Sequence, residues 1–323
     1  MLKVKNVEIK NPIVLAPLAG YTNRTFRGIV KEFGVGLVYS EMISAHGIIY
    51  DNKKTIELTE VNPKEHPLAM QIFGGEVELL TKAAQYIDKY TDADIIDLNM
   101  GCPVRKVLKA ESGSKLLTDP EKIYRIVSAV VQNVEKPVSV KIRAGWDHSS
   151  INADVVAEAI EKAGASLICI HGRTKSDLYR GKVNLDYIKM VKAAVNIPVI
   201  GNGDIRSIED AEKMFAYTGV DMIMIGRGAL GNPWLLRDLV CWYEGKKIPA
   251  PPTAREKLAL CKRHLDLLVE EKGERTAVLE MRSMAAWYVK GIERTREFKQ
   301  KLNDVKTKTE LHQLIDELER ERC

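Results

Sequence analysis

Eight short apolar runs recur along the first 225 residues, each followed by a turn and, in most cases, a longer stretch of helical period. They occupy residues 13–16, 36–40, 68–73, 95–99, 138–142, 167–170, 199–200 and 222–225. Between them, apolar residues repeat at three- and four-residue spacing over 77–90, 120–134, 153–163, 185–195 and 208–217. Near-continuous apolar strands alternating with amphipathic helices fit an α/β fold with a parallel sheet, because both faces of such strands are buried. Eight strands in sequence point to a closed (β/α)8 TIM barrel. A doubly wound open sheet competes, but it usually carries a GxGxxG turn after its first strand. Ala16-Pro17-Leu18-Ala19-Gly20 is not one. Ser207 ahead of Ile208 and Gly164 after the 153–163 segment are the caps such helices need.

After Trp234 the pattern changes. Residues 245–252 (GKKIPAPP) form a proline-rich connector that cannot be helical. Beyond it, three apolar stripes predict a small helical bundle. They are Leu258, Cys261, Leu265 and Leu268; then Val278, Met281, Ala285, Tyr288 and Ile292; then Leu311, Leu314, Ile315 and Leu318. The expected organisation is a barrel over 1–244, a linker over 245–252 and a helical domain over 253–323.

Charged residues make up 29% of the 323 positions, and no apolar run approaches the length of a bilayer span. The first residues lack an apolar stretch followed by a cleavage site, so no signal peptide is expected and a cytoplasmic location follows. Five scattered cysteines without a CxxC pair argue against a disulfide framework and a structural metal site. The formal charge of +5 permits a nucleic-acid partner without requiring one.

In such a barrel the strand ends and the loops after them share one mouth. The polar residues placed there form a consistent set. They include Pro17 and Leu18, Gln71, Asn99 and Cys102, Lys141 and Arg143, the run His171-Gly172-Arg173-Thr174, the run Gly201-Asn202-Gly203-Asp204, and Gly226-Arg227-Gly228. Cys102 follows a strand and sits in a Gly-Cys-Pro turn, where a thiol can act as nucleophile, base or acid according to its charge. The glycine-bearing turns after the last two strands offer backbone N–H groups to an anion, and Arg227 adds a fixed charge suited to phosphate. With a phosphate there, Gln71, Asn99 and Lys141 face the barrel axis, where a planar ring could lie. The ligand inferred is a phosphorylated flavin, FMN.

These motifs carry a resemblance. The run APLAGYTN at 16–23 resembles the opening motif of the tRNA-dihydrouridine synthases, and LNMGCP at 98–103 resembles their catalytic loop. Lys141-Ile142-Arg143, the HGRT run, Asn202-Gly203-Asp204-Ile205 and Gly226-Arg227-Gly228 match as well. The segment 281–290 is similar to the helical domain of the bacterial B-type branch. Two positions depart from the pattern: Leu18 stands for the usual methionine, and Asn23 for the usual aspartate.

The resemblance implies that NADPH (or NADH) reduces FMN and leaves, after which a uridine of tRNA enters. Hydride then passes to C6 of the uracil, and Cys102 supplies a proton to C5. A thiol near its ordinary pKa is mostly protonated at neutral pH, as an acid requires. By the same resemblance Pro17, Leu18, Ala19, Gln71, Lys141, His171, Asn202, Gly203, Asp204, Gly226 and Arg227 hold the cofactor. Asn99, Arg143, His171 and Arg173 surround the base. Arg105 beside the catalytic loop, with Lys290, Arg294 and Lys299 on the helical domain, would track the RNA backbone. Residues 282–308 hold eight Lys and Arg against three Asp and Glu, which suits that role. A monomer that uses neither metal nor membrane is expected. The competing enzyme is an FMN barrel of the dihydroorotate or dihydropyrimidine dehydrogenase kind, which acts on a free small molecule and needs no basic helical domain. A tRNA-binding module on a catalytically dead barrel is the reading from another class.

Overall fold

The computed structural model describes residues 2–322. Eight strands form the barrel: β1 (Ile13–Leu15), β2 (Leu37–Tyr39), β3 (Leu68–Phe73), β4 (Ile95–Asn99), β5 (Val138–Arg143), β6 (Leu167–His171), β7 (Val199–Asn202) and β8 (Met222–Ile225). Every neighbouring pair is parallel. The ring closes through β1 against β8 and β2 against β3, where Tyr39 faces Ala69. A two-residue strand, Ile43–Ser44, adds to the mouth end of β3.

Alternation along each strand divides the apolar residues into two cores. Outward residues such as Ile13, Val38, Met70, Leu98, Val140, Ile170 and Ile225 pack against the helices. Inward residues Val14, Leu37, Ala69, Ile95, Leu167, Ile200 and Met222 fill the barrel. An antiparallel hairpin (Leu2–Val4 and Val7–Ile9) closes the barrel's lower end and adds Val4, Val7 and Ile9 to that inner core. Emptying one such position, for example by Ile200→Ala, would cost about 2–5 kcal/mol.

Going up the same inward rows, the residue type changes from apolar to polar. Above Ala69 comes Gln71; above Ile95 come Asp97 and Asn99; above Leu167 come Cys169 and His171. Strand register then places Gln71 beside Asp97, Asn99 beside Lys141, and His171 beside both Arg143 and Asn202. A polar floor therefore lies beneath the mouth.

The outer helices are α1 (Arg24–Glu32), α2 (Ala45–Ile49), α3 (Val77–Tyr90), α4 (Pro120–Gln132), α5 (Ala153–Lys162), α6 (Leu185–Ala194), α7 (Ile208–Thr218) and α8 (Pro233–Tyr243). The Ser207 hydroxyl caps α7 by accepting from the Asp210 N–H, and Gly164 takes the left-handed conformation just past α5. Helix α4 stops two residues before the sequence pattern suggests, because Asn133 leaves the helix and Pro137, just ahead of β5, keeps the chain extended.

The connector ends at Thr253, whose side chain forms a reciprocal capping box with Glu256 and starts α9 (Ala254–Lys272). It is followed by α10 (Glu274–Tyr288), α11 (Arg296–Lys301) and α12 (Lys308–Arg322). The three predicted stripes are buried among these helices, except Ile292, which is half-buried. The bundle docks on α1, where Phe26 stacks on His264 at 5.6 Å between centroids and Arg263 reaches Glu32 at 2.5 Å. Among the described residues, no helix is long and apolar enough to cross a membrane.

Candidate active site

Asp97, on the inward row of β4, has no exposed surface, and its oxygens accept from Ser139 Oγ at 2.5 Å and Gln71 Nε2 at 2.7 Å. The Gln71 carbonyl oxygen accepts from Asn99 Nδ2 at 2.7 Å. Asn99 Oδ1 in turn accepts the backbone N–H groups of Cys102 at 2.9 Å and Gly101 at 3.2 Å. The Cys102 turn is thus tied to the barrel floor. From the other side it is held by a two-turn 3-10 segment, Gly113–Thr118, whose Ser114 N–H donates to the Cys102 carbonyl at 3.0 Å. Gly113 has φ +61°, and a Cβ there would lie 2.6 Å from the Cys102 carbonyl oxygen, so only glycine lets the segment come this close.

Burial pushes the Cys102 thiol above its ordinary pKa, against the opposing pull of the Val104 backbone N–H, Arg143 and Lys141. The sequence suggests a thiol near its ordinary value; the site makes it harder to ionise than that. Cys102 is only 9% exposed, while Val104, Arg105 and Lys106 after it are exposed.

Lys141 is half-buried, and among the described residues its ammonium has a single hydrogen-bond partner, Asn202 Oδ1 at 3.3 Å. Asn202 Nδ2 is used by the Met224 carbonyl at 2.8 Å, which fixes the oxygen toward Lys141. Loss of solvent lowers the Lys141 pKa. An ammonium with unused donors at the barrel mouth is suited to an anionic or carbonyl-bearing ligand. Burial first, and then Lys141, Arg143, Arg173 and Arg227, hold His171 well below its usual range, so it is a neutral imidazole.

Two arginines expected to meet the substrate lie deeper than that. Arg143 spends Nε on the Gly101 carbonyl and Nη1 on those of Thr174 and Leu178, binding the Cys102 turn to the loop after β6. Arg173 is 2% exposed. It donates to the carbonyls of Arg180 and Gly181 and to Asp204 Oδ2 at 2.5 Å, and its Nη1 lies 3.4 Å from His171 Nε2. Its donors act within the protein. Asp204, placed with the cofactor residues on sequence, is likewise a carboxylate unsuited to touch a phosphate. It accepts from Arg173 and from the Val183 N–H at 3.1 Å, and it holds Arg227 at 3.5 Å. Its part is to orient the exposed arginine.

Around Arg227 the last two loops converge. A Cβ on Gly228 would lie 2.6 Å from the Ile205 carbonyl oxygen, so glycine lets the β7 and β8 loops touch. Among the described residues, the N–H groups of Gly203, Asp204, Arg227 and Gly228 donate to no protein acceptor. A Cβ on Gly226 would be in ordinary contact with Ala16 and Leu18, at 3.7 and 4.0 Å, so the β8 loop borders the apolar side chains after β1. Open amides, a guanidinium and an adjoining apolar ledge form a cradle that fits a phosphate attached to a ring. Pro17 and Leu18 are half-buried along that ledge, and Ala19 is exposed.

Sequence reasoning missed Asp97 and Ser139, which are hidden inside apolar strands, and Tyr179. The Tyr179 ring stands between the guanidinium groups of Arg143 and Arg227, 5.4 Å from each. No periodicity marks a lone aromatic in a loop.

A family model described as dihydrouridine synthase (Dus) matches residues 14–322. The chain belongs to the dihydrouridine synthase family. It is 39% identical over 305 residues to tRNA-dihydrouridine synthase B of Pasteurella multocida, covering 94% of this chain and 91% of that protein. It is 38% identical over 304 residues to tRNA-dihydrouridine synthase B of Pseudomonas aeruginosa, covering 94% and 91%. A probable tRNA-dihydrouridine synthase of Rickettsia conorii is 36% identical over 304 residues, covering 94% and 92%. Among solved structures, 6-hydroxypseudooxynicotine amine oxidase of Pseudomonas geniculata N1 superposes with a TM-score of 0.59 at 16% identity, covering 76% of this chain and 49% of that one. At that identity the likeness concerns the fold alone. As a dihydrouridine synthase, the chain is an enzyme, and its family implies flavin oxidoreductase chemistry.

Proposed function

We propose that this dihydrouridine synthase reduces the C5–C6 double bond of uridines in tRNA, with FMN as its cofactor and NADPH as the reductant. The names of the relatives support the substrate class. The cradle formed by Gly203, Gly226, Arg227 and Gly228 supports a phosphorylated flavin, with Lys141 and Asn202 toward the ring; Gln71 is fully buried beneath them, its carboxamide held between Asp97 and Asn99. When bound and reduced, the flavin supplies hydride to uracil C6.

The chain's own residues do the rest. Cys102 donates the proton to C5. The observation that carries this role is the thiol's environment: burial keeps it protonated, and the Asn99 carboxamide holds its backbone. Lys141 and neutral His171 can donate to uracil carbonyls as negative charge builds on the ring. Once the proton has left, Arg143 and Lys141 lie close enough to stabilise the thiolate electrostatically. A target base must leave its stack to reach a barrel mouth, which favours an unstacked loop uridine. Lys290, Arg294 and Lys299 are exposed on the bundle, and Arg105 beside the thiol, as contacts to the RNA backbone require.

The test is dihydrouridine formation in unmodified tRNA by purified protein with FMN and NADPH, alongside free uridine and dihydroorotate. Product in tRNA alone is expected. Turnover of the free pyrimidines instead would replace this reading with the small-molecule one. Cys102→Ala should keep flavin and tRNA binding while product formation falls about 100-fold or more. Near-full activity would remove the acid role.

A further inference from the structure

The hydrogen-bond chain beneath the catalytic turn has a polarity that its two ends impose. At the bottom stands the Asp97 carboxylate, which only accepts; at the top stand the Gly101 and Cys102 amides, which only donate. Between them lie two carboxamides, Gln71 and Asn99, each able to face either way. Only one arrangement avoids a clash of like groups. Gln71 must give its N–H to Asp97, so its oxygen meets the Asn99 N–H, so the Asn99 oxygen faces the loop. The distances of 2.7, 2.7 and 2.9 Å trace that arrangement.

We propose that Asp97, which touches neither the thiol nor the mouth, is a positioning residue that fixes the direction of both carboxamides and thereby holds Cys102 in place to donate its proton. The proposal rests on the reading of Cys102 as the acid. Asp97 suits the task because it is enclosed on every side. Gln71 approaches it from β3, Ser139 and Lys141 from β5, Tyr39 from β2 and Cys169 from β6. The Ser139 hydroxyl occupies its second oxygen at 2.5 Å, so the carboxylate cannot swing away from Gln71 without losing that bond. Lys141 supplies the positive charge nearby that favours the ionised, purely accepting form. Gln71 and Asn99 are thus both set by one buried group.

Two substitutions separate direction from mere presence. Asp97→Leu removes both acceptors while keeping the same number of side-chain heavy atoms and the same branch point, leaving Gln71 free to reverse. Asp97→Asn has one satisfied orientation: its oxygen takes the Gln71 N–H while its amide donates to Ser139 Oγ, since a hydroxyl also accepts. That variant keeps the direction of the chain.

The experiment measures backbone amide exchange at Gly101 and Cys102, flavin reduction by NADPH, and dihydrouridine formation in each flavin-loaded variant at pH 8. In Asp97→Leu, exchange at these amides should be about tenfold faster, as expected for the loss of one buried hydrogen bond. Product formation should fall by about tenfold or more, with flavin reduction kept within about threefold. Asp97→Asn should stay within about threefold of the parent in all three readouts. Unchanged exchange and product formation in Asp97→Leu would overturn the proposal. If that variant does not fold, Gln71→Met cuts the same chain between its ends and must also quicken exchange at Cys102; unchanged exchange there overturns it equally. A parent enzyme that forms no dihydrouridine would instead remove the reading of Cys102 and leave the exchange result to stand by itself.

Discussion

Asn23 Nδ2 donates to Glu280 Oε2 at 3.0 Å, joining the first barrel loop to helix α10 of the bundle. The same side chain caps α1, its oxygen accepting the Phe26 N–H at 2.9 Å. Each end of the carboxamide therefore has its own task. An aspartate, the residue usual in this motif, could keep the cap but would face Glu280 with like charge. Asn23→Asp should cost about 1–2 kcal/mol of stability at pH 8, the loss of a hydrogen bond plus a partly screened repulsion. Urea unfolding of the variant and of Asn23→Asp/Glu280→Gln checks it. The double variant should recover most of the loss, and equal losses in both would refute the domain link.

Much of this molecule could be read from its sequence because barrel strands are apolar on both faces. The runs at 95–99 and 138–142 stood out for that reason, and the motifs after them placed Cys102, Lys141 and His171 at one rim. The hairpin at Leu2–Val4 and Val7–Ile9 did not stand out, since three-residue strands are too short to show a period. Asp97 was hidden for a related reason: a polar residue in an apolar run looks like an interruption until its neighbours on β3 and β5 are known. Arg173 and Asp204 were placed against ligands by motif alone. Their pairing with each other requires the fold, because thirty-one residues separate them in the chain.

The bundle's basic surface gives a prediction about salt. Lys290, Arg294 and Lys299 are exposed, and Lys290 lies over the Trp287 ring at 5.6 Å. Each phosphate contact releases condensed counterions, so replacing all three with alanine should flatten the dependence of tRNA affinity on salt by about two to three units of logarithmic slope. NADPH-driven flavin reduction should be untouched. Binding measured between low and moderate salt checks this, and an unchanged slope would place the RNA elsewhere.

Asp97 makes stability depend on pH. Burial raises its pKa from 3.8 to about 6, against the pull of Ser139, Gln71 and Lys141. The folded protein therefore holds this proton more tightly than the unfolded chain does. Ionising the group costs stability as pH rises through the window between those values, and the full cost of about 3 kcal/mol persists above it. Asp97→Asn carries no such charge. Its stability relative to the parent should therefore rise from pH 4 to pH 7, by an amount up to that order, and level off beyond. Parallel urea titrations at pH 4 and pH 8 measure the difference, from which the other carboxylates cancel. A gap that does not change with pH would mean that burial does not raise the Asp97 pKa above its value in the unfolded chain.

Gly231 and the end of α10 set where the bundle stands relative to the mouth. A Cβ on Gly231 would lie 2.3 Å from the Tyr288 backbone nitrogen and 2.4 Å from the Trp287 carbonyl carbon, with φ at +61°. Four residues earlier is Arg227 in the phosphate cradle, and two residues beyond Tyr288 is Lys290 on the basic surface. The contact thus joins the loop after β8 to the end of α10, beside the exposed Lys290. Gly231→Ala meets both a strained backbone and a clash with main-chain atoms that cannot move aside independently. Gly219 provides the comparison, since it has φ +69° and nothing within 4 Å of its Cβ position. Gly219→Ala should cost only the strain, about 1 kcal/mol. Gly231→Ala should cost about 2–4 kcal/mol and weaken tRNA binding as the bundle shifts. Calorimetric melting and tRNA titration of the two variants test this, and equal losses in both would show that the bundle does not depend on this contact.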